Sequence, residues 1–225
     1  MAFFGPLPLT NDQLREFIVD TISGAMTQID KYECSFTNTG SGASNTNQGY
    51  NLVTGATASS TVLCRPNGNS EAEARSPLAS ANNIDWSRKN YLTGFFAMTE
   101  RTTNGIGRIQ LGRLHSSTTV GDLSIRSVEL RAENTALKLR VHNGTSATTS
   151  SSLYTIDGNT FYFKIYSDGT GTVYLYINGS LAGSTTGGPT TSGNNNENAV
   201  GLSVENGADA ASVRMRAGNI KVWTL

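Results

Sequence analysis

The sequence predicts an all-β protein built as an antiparallel sandwich. Short segments in which apolar and polar residues alternate recur from Tyr32 to the end of the chain, as half-buried strands require. Dipeptides that accept a positive φ, such as Asp168-Gly169 and Asn178-Gly179, separate these segments and favour hairpin turns. The chain contains 24 Gly but only 5 Pro, and no long helical pattern interrupts the strands, so a parallel α/β sheet is disfavoured.

The first 30 residues differ from the rest. The segment Met1–Leu9 contains two prolines and is expected to be an extended arm, and residues 10–29 repeat apolar side chains at helical spacing. We therefore expect an arm and amphipathic helix over residues 1–30, followed by a single sandwich domain over residues 31–225. This segment either packs on its own sandwich or anchors the protein to a neighbour or oligomer. The candidate anchor residues are Phe3, Phe4, Leu14, Phe17, Ile18, Ile22 and Met26.

Period-two alternation predicts the strands in order. The first begins at Tyr32, with Tyr32, Cys34 and Phe36 expected on one face. The further predicted strands are Tyr50–Thr54, Thr61–Arg65, Tyr91–Met98, Gly107–Leu114, Leu123–Ala132, Ala136–His142, Thr160–Tyr166, Thr172–Asn178, Val200–Glu205 and Asn219–Leu225. Three long polar loops are expected at residues 37–48, 145–152 and 184–198.

Composition restricts the partners. Lys+Arg and Asp+Glu number 17 each and only 15% of residues are charged, so no overall field attracts nucleic acid or an anionic membrane. No stretch approaches the roughly 20 apolar residues of a membrane span, and the N-terminus does not resemble a secretory signal. Cys34 and Cys64 either form a disulfide or remain two buried thiols. The sequence predicts no metal site and no cofactor.

One predicted hairpin, Phe161–Asn178, carries the candidate binding residues. Alternation places Phe161, Phe163, Ile165, Val173, Leu175 and Ile177 in the core. The opposite face, called here the tyrosine face, carries Tyr162, Lys164, Tyr166, Tyr174 and Tyr176. We expect Tyr162 opposite Tyr176 and Lys164 opposite Tyr174. Tyrosine rings suit stacking against a sugar and also suit protein interfaces, so the face is either a binding platform or a surface that another segment or subunit covers.

The span from Tyr91 to Leu225 resembles the concanavalin A-like, laminin-G-type jelly roll. The resemblance is carried by residues 160–183, in which a strand, a turn, a strand ending in Tyr-Ile-Asn-Gly and a short returning strand follow one another, and by the closing Gly218–Leu225. It implies a concanavalin A-like antiparallel jelly-roll sandwich. Lectins, adhesion modules, glycan-cleaving enzymes and heads of viral spikes or fibres share this fold, so fold alone does not choose among them.

The residues favour binding over catalysis. The resemblance implies a Glu-x-Asp-x-x-Glu type signature in the glycan-cleaving relatives, and this chain lacks it. Its nearest approach is Glu129, Arg131 and Glu133, which we interpret as a solvated, salt-bridged face because the arginine would keep both acids ionised. No catalytic residue is therefore predicted.

Three functions are ordered by this reasoning. The first is a non-enzymatic virion-surface protein, such as a spike, decoration or fibre-head protein. It would associate with other virion proteins and with itself, and would bind a host receptor or cell-surface glycan. The second is a free, extracellular carbohydrate-binding module, and the third is a glycoside hydrolase.

Overall fold

The protein consists of two antiparallel β-sheets packed around one core. The computed structural model describes residues 31–33, 35–38, 43–46, 49–54, 59–65, 84–114, 124–191, 197–206 and 211–224. The strands are β1 Lys31–Glu33, β2 Ser35–Asn38, β3 Ala43–Thr46, β4 Gly49–Thr54, β5 Ser59–Arg65, β6 Asn90–Glu100, β7 Ile106–Leu114, β8 Ser127–Glu133, β9 Ala136–His142, β10 Ala147–Thr149, β11 Tyr154–Thr155, β12 Phe161–Ser167, β13 Val173–Ile177, β14 Ser180–Thr185, β15 Glu197–Glu205 and β16 Val213–Thr224. The all-β prediction is confirmed for this part of the chain.

Each sheet contains eight strands. Sheet I has the order β14-β13-β12-β6-β16-β4-β3, and β1 also pairs with β16. Sheet II has the order β10-β9-β8-β7-β15-β5-β2, and β11 also pairs with β9. The chain crosses repeatedly between the sheets, which agrees with the jelly-roll resemblance.

The inward faces of both sheets meet in a single hydrophobic core. Phe96 and Met98 from sheet I and Leu130 and Leu202 from sheet II all have no exposed surface. The predicted core face of the hairpin is confirmed, since its six apolar residues are all at least 95% buried. Trp86, just before β6, is also fully buried. Burial of large apolar side chains is the main source of folding free energy in such a core.

Most predicted strands are confirmed, with four corrections. Tyr32 and Phe36 do not share a face, because β1 belongs to sheet I and β2 to sheet II. The expected polar loop at 37–48 contains β3, and the one at 145–152 contains β10. Strand β16 begins at Val213, six residues before the predicted start at Asn219.

The fourth correction concerns β8, which begins at Ser127 and not at Leu123. The preceding residues, 124–126, form a bend. Leu123 itself lies outside the described residues. So do the predicted arm and helix over residues 1–30, whose existence stays a prediction, as does the division of the chain at residue 31.

A β-bulge interrupts the central strand β16. Gly218 pairs with Phe95 and Lys221 pairs with Thr93, so Asn219 and Ile220 together oppose Gly94 alone. Ile220 is buried in the core, and Asn219 is exposed with a φ of 50°. A Cβ on Gly94 would lie 2.4 Å from Ile220 Cδ1 and 2.9 Å from the Gly218 carbonyl oxygen. The absence of a side chain at Gly94 therefore makes room for the bulge.

We expect Gly94→Ala to lower the free energy of unfolding by about 1–3 kcal/mol, because the added methyl group meets both a packed side chain and backbone. Gly107→Ala is the matched control, since its Cβ would meet the Met98 sulfur at 2.9 Å and the Met215 sulfur at 3.2 Å, and these flexible side chains can move. Urea denaturation of both variants measures the difference. Equal destabilisation would contradict the role assigned to Gly94.

Candidate functional site

The tyrosine face lies on the outer surface of sheet I. Strand alternation points Tyr162, Lys164 and Tyr166 of β12 away from the core, and the neighbouring outward residues of β6 are Phe95, Thr93 and Tyr91. Tyr174 and Tyr176 of β13 complete the face on the other side. The five residues named from the sequence are thus brought together on one surface, as predicted.

The cross-strand register differs by two residues from the prediction. Lys164 lies opposite Tyr176 and Tyr166 lies opposite Tyr174. The cause is the connecting loop, in which Asp168 Oδ1 accepts hydrogen bonds from the backbone N–H of Thr170 at 2.7 Å and of Thr172 at 3.0 Å. This wider turn holds five residues between the strands. Because a shift of two preserves the side-chain face, the composition of the tyrosine face is unchanged.

Three tyrosines of the face stack on one another across three strands. The ring centroids of Tyr91 and Tyr166 are 4.9 Å apart with planes inclined by 16°, and those of Tyr166 and Tyr174 are 5.6 Å apart with planes inclined by 18°. Burial raises the pKa of Tyr91, and the neighbouring Tyr166 and Tyr176 add to this effect. The ring faces of Tyr166 are occupied by its two neighbours, so this part of the face is not an open stacking platform.

Lys164 and Tyr176 form a second packed pair. The Lys164 ammonium lies 4.5 Å from the centroid of the Tyr176 ring, within the range of a cation–π interaction. Lys164 is 4% exposed and Tyr176 is 6% exposed. The cation thus occupies a ring face that the sequence interpretation offered to a ligand. We expect Tyr176→Ala to act first on stability.

Tyr162 is the member of the tyrosine face that solvent reaches most. It is 39% exposed, and Leu181 of β14, at 45%, is the other exposed large hydrophobic residue in the described part of the chain. The backbone N–H of Tyr162 donates to Asn178 Oδ1 at 2.9 Å, and the N–H of Asn178 donates to the Tyr162 carbonyl at 2.8 Å. These paired hydrogen bonds fix the backbone position from which the Tyr162 ring projects.

Sequence reasoning missed several neighbours of this face. Tyr91 and Phe95 lie beside Tyr166 and Tyr162 on β6, but nothing local to residues 91–98 indicates which strand pairs with them. Asn178 was interpreted only as a turn residue. Its φ of 48° confirms the turn, and its side-chain hydrogen bond to Tyr162 adds a second role.

The outer face of sheet II carries a network of charged residues. Glu129 Oε1 lies 3.5 Å from Arg108 Nε and 3.2 Å from Arg131 Nη1, and Arg131 also pairs with Glu133. The predicted salt bridging is confirmed, but the prediction that the face is solvated is wrong. Glu129 is fully buried and Arg131 is 8% exposed. Alternation predicts which residues leave the core but does not reveal what covers the outer face.

Glu133 is held ionised by its partners. Burial raises the pKa of its carboxyl, but hydrogen bonds from Lys138 and Arg131 outweigh this effect and lower the pKa below its usual value. A general acid for glycoside cleavage requires a raised pKa. The network therefore has the electrostatics of a structural ion-pair cluster.

No group of three or more His, Cys, Asp or Glu side chains within the described ranges is arranged to hold a metal ion. Asp157 and Asp168, whose oxygens the sequence offered as calcium ligands, each accept hydrogen bonds within their own turns. No helix among the described residues is long and apolar enough to cross a membrane. The candidate anchor residues and Cys34 lie outside the described residues, so the pairing of Cys34 with Cys64 of β5 stays a prediction.

No protein-family model matches the chain, and no curated protein matches it. Among solved structures, the fold is that of β-sandwich binding domains. The botulinum neurotoxin serotype C1 binding domain matches with a TM-score of 0.58 and 11% identity over 85% of this chain and 44% of that chain. The binding domain of botulinum neurotoxin DC, in complex with rat synaptotagmin II, matches with a TM-score of 0.57 and 11% identity over 85% and 43%.

The carbohydrate-binding module CBM66 from Bacillus subtilis is also similar, with a TM-score of 0.51 and 12% identity over 84% of this chain and 95% of that chain. This chain thus spans less than half of the neurotoxin chains and nearly all of the module. At these identities the likeness shows the fold alone.

We expect Arg131→Ala to lower the free energy of unfolding by about 3–5 kcal/mol, because it leaves the buried Glu129 carboxylate short of a partner. Arg214→Ala is the matched control. Arg214 pairs with Glu100 at 3.2 Å, but both side chains are more than a third exposed, so the expected loss is at most about 1 kcal/mol. Chemical denaturation of both variants at neutral pH tests the contrast. Similar losses would show that the sheet II network does not act as a buried cluster.

Proposed function

We propose that this protein is a non-enzymatic binding module that recognises a glycan on a cell surface through the outer face of sheet I. The observation that carries the proposal is Tyr162, an exposed aromatic ring on a backbone fixed by Asn178. A rigid tyrosine offers apolar area for the ring of a sugar and a hydroxyl for its polar edge. Phe95, partly exposed on the adjoining strand, extends the aromatic surface.

The similar structures support this function. One is a carbohydrate-binding module, and the other similar structures include a botulinum neurotoxin type C protein described as entering cells by interaction with two ganglioside molecules. A receptor is an alternative ligand, since botulinum neurotoxin DC was solved in complex with synaptotagmin II. The near-complete coverage of the CBM66 chain favours a free-standing module.

The glycoside hydrolase alternative has one candidate acid, Glu129. Its two arginine neighbours favour the ionised carboxylate, and its complete burial keeps it from a polymeric substrate. We therefore assign no catalytic residue. If the protein nevertheless cleaves a glycan, its acid lies elsewhere.

The finer proposal places this module on a virion surface, as the head of a spike, fibre or decoration protein. The support is the near-neutral, hydroxyl-rich composition and the apolar stripe in residues 1–30, which suits anchoring or self-association. The competing proposal is a free extracellular lectin-like module in which that stripe packs on its own domain.

We expect Tyr162→Ala to lower glycan affinity at least about tenfold, because it removes the exposed ring at the centre of the surface. Leu181→Ala is the control, since it truncates a similarly exposed apolar residue on the outer edge strand of the same sheet. A glycan array followed by calorimetry on the strongest ligand measures both variants. Binding that survives Tyr162→Ala moves the site away from this face, and binding to no glycan at all contradicts the proposed function.

We expect the full chain to form a homo-oligomer, and Phe17→Asp combined with Ile22→Asp to yield folded monomers, because charges on the apolar stripe prevent association. Glu16→Ala, outside the stripe, is the control. Light scattering over a range of concentrations gives the masses, and circular dichroism verifies folding. A monomeric full chain would contradict the anchored virion component and favour the free module.

A further inference from the structure

The bulge in β16 places two polar side chains next to the aromatic surface. Gly218 lies opposite Phe95, and Phe95 lies opposite Tyr162, so the three positions form one row across β16, β6 and β12. Asn219 follows at once, exposed, and is the extra residue of the bulge. A non-glycine residue at positive φ in the middle of a central strand costs free energy, and bulges of this kind often direct a side chain toward a site.

Arg216 stands on the same outward face, two residues before Gly218. It is exposed, and within the described part of the chain it makes no ion pair. Its register partners, Ala97 and Asn51, are neutral. The other cations of β16 differ: Arg214 pairs with Glu100, and Lys221 lies opposite Glu33 in register. Arg216 is thus the cation of this strand that is best placed to receive an anion from solution.

We infer that this part of sheet I is a subsite for a sugar that carries a carboxylate, an inference that rests on the proposed glycan-binding function. Its members are Tyr162, Phe95, Arg216 and Asn219. The guanidinium matches a carboxylate in a bidentate pair, and the amide of Asn219 donates to and accepts from sugar hydroxyls. The aromatic residues contact the apolar side of the ring.

The dimensions suit one terminal sugar. Strands in a sheet lie about 4.8 Å apart, so Tyr162 and Gly218, two strands apart, are separated by roughly 10 Å. The three residues from Arg216 to Asn219 span about 10 Å along the strand. Ala97 and Gly218 have the smallest side chains in this area, so the larger side chains rise around a low floor.

The experiment compares paired probes on the full chain. A glycan ending in a sialic acid is measured against its asialo counterpart, and a glycan ending in a uronic acid against its neutral hexose counterpart, by calorimetry. We expect at least one carboxylated probe to bind about tenfold or more tightly than its neutral counterpart. Arg216→Gln should remove that preference while affinity for the neutral probe stays within twofold.

Two matched variants make the result specific. Arg214→Gln removes the same charge from the same strand face, and the preference should survive it. Asn219→Gly keeps the left-handed backbone and removes only the amide, so it should weaken carboxylated and neutral probes alike. Thermal melts verify that each variant folds.

The outcomes separate the inference from the function beneath it. If neutral and carboxylated probes bind equally, or if Arg214→Gln removes the preference as fully as Arg216→Gln, the carboxylate subsite is wrong while glycan binding stands. If no probe binds and the glycan array is also blank, the proposed function fails and the subsite fails with it.

Discussion

The pairing of β6 with β16 is the constraint on which the rest of sheet I depends. Strand β6 also pairs with β12, and β16 also pairs with β4 and β1, so these two strands join the hairpin of the tyrosine face to the strands of the N-terminal region. Their inward residues contribute to the core and their outward residues form the centre of the candidate site. The bulge at Asn219 is accommodated within this pair because Gly94 has no side chain. The geometry of the surface is therefore set by the core beneath it.

Local sequence patterns predicted what depends on local chemistry. Alternation identified the core residues of β12 and β13 because each inward position must be apolar, and Asn178-Gly179 identified its turn because both residues accept a positive φ. The register error at Lys164 and Tyr176 arose because the Asp168 side chain widens the loop, which residue preferences do not reveal. The error preserved the face because side chains repeat every two residues.

Features that depend on distant strands were not predictable in the same way. Tyr32 and Phe36 alternate as one strand would, yet the chain changes sheets between them. The burial of Glu129 and Lys164 on outward faces likewise depends on what packs against a whole sheet. Tyr91 and Arg216 joined the candidate site only when β6 and β16 were paired, because alternation within one segment cannot show which strands are neighbours.

The tyrosine face combines two roles that its sequence presents as one. Where tyrosines are directly opposite or adjacent, as in Tyr91, Tyr166 and Tyr174, their rings stack and stabilise the sheet. Where the hairpin ends at Tyr162, no tyrosine lies directly opposite, because the partner position is the turn residue Asn178. A stacked ring has already used the face that a sugar requires, whereas a ring at the end of the stack still presents it to solvent. The number of tyrosines therefore measures the stiffness of the surface, and the end of the hairpin determines where it can bind.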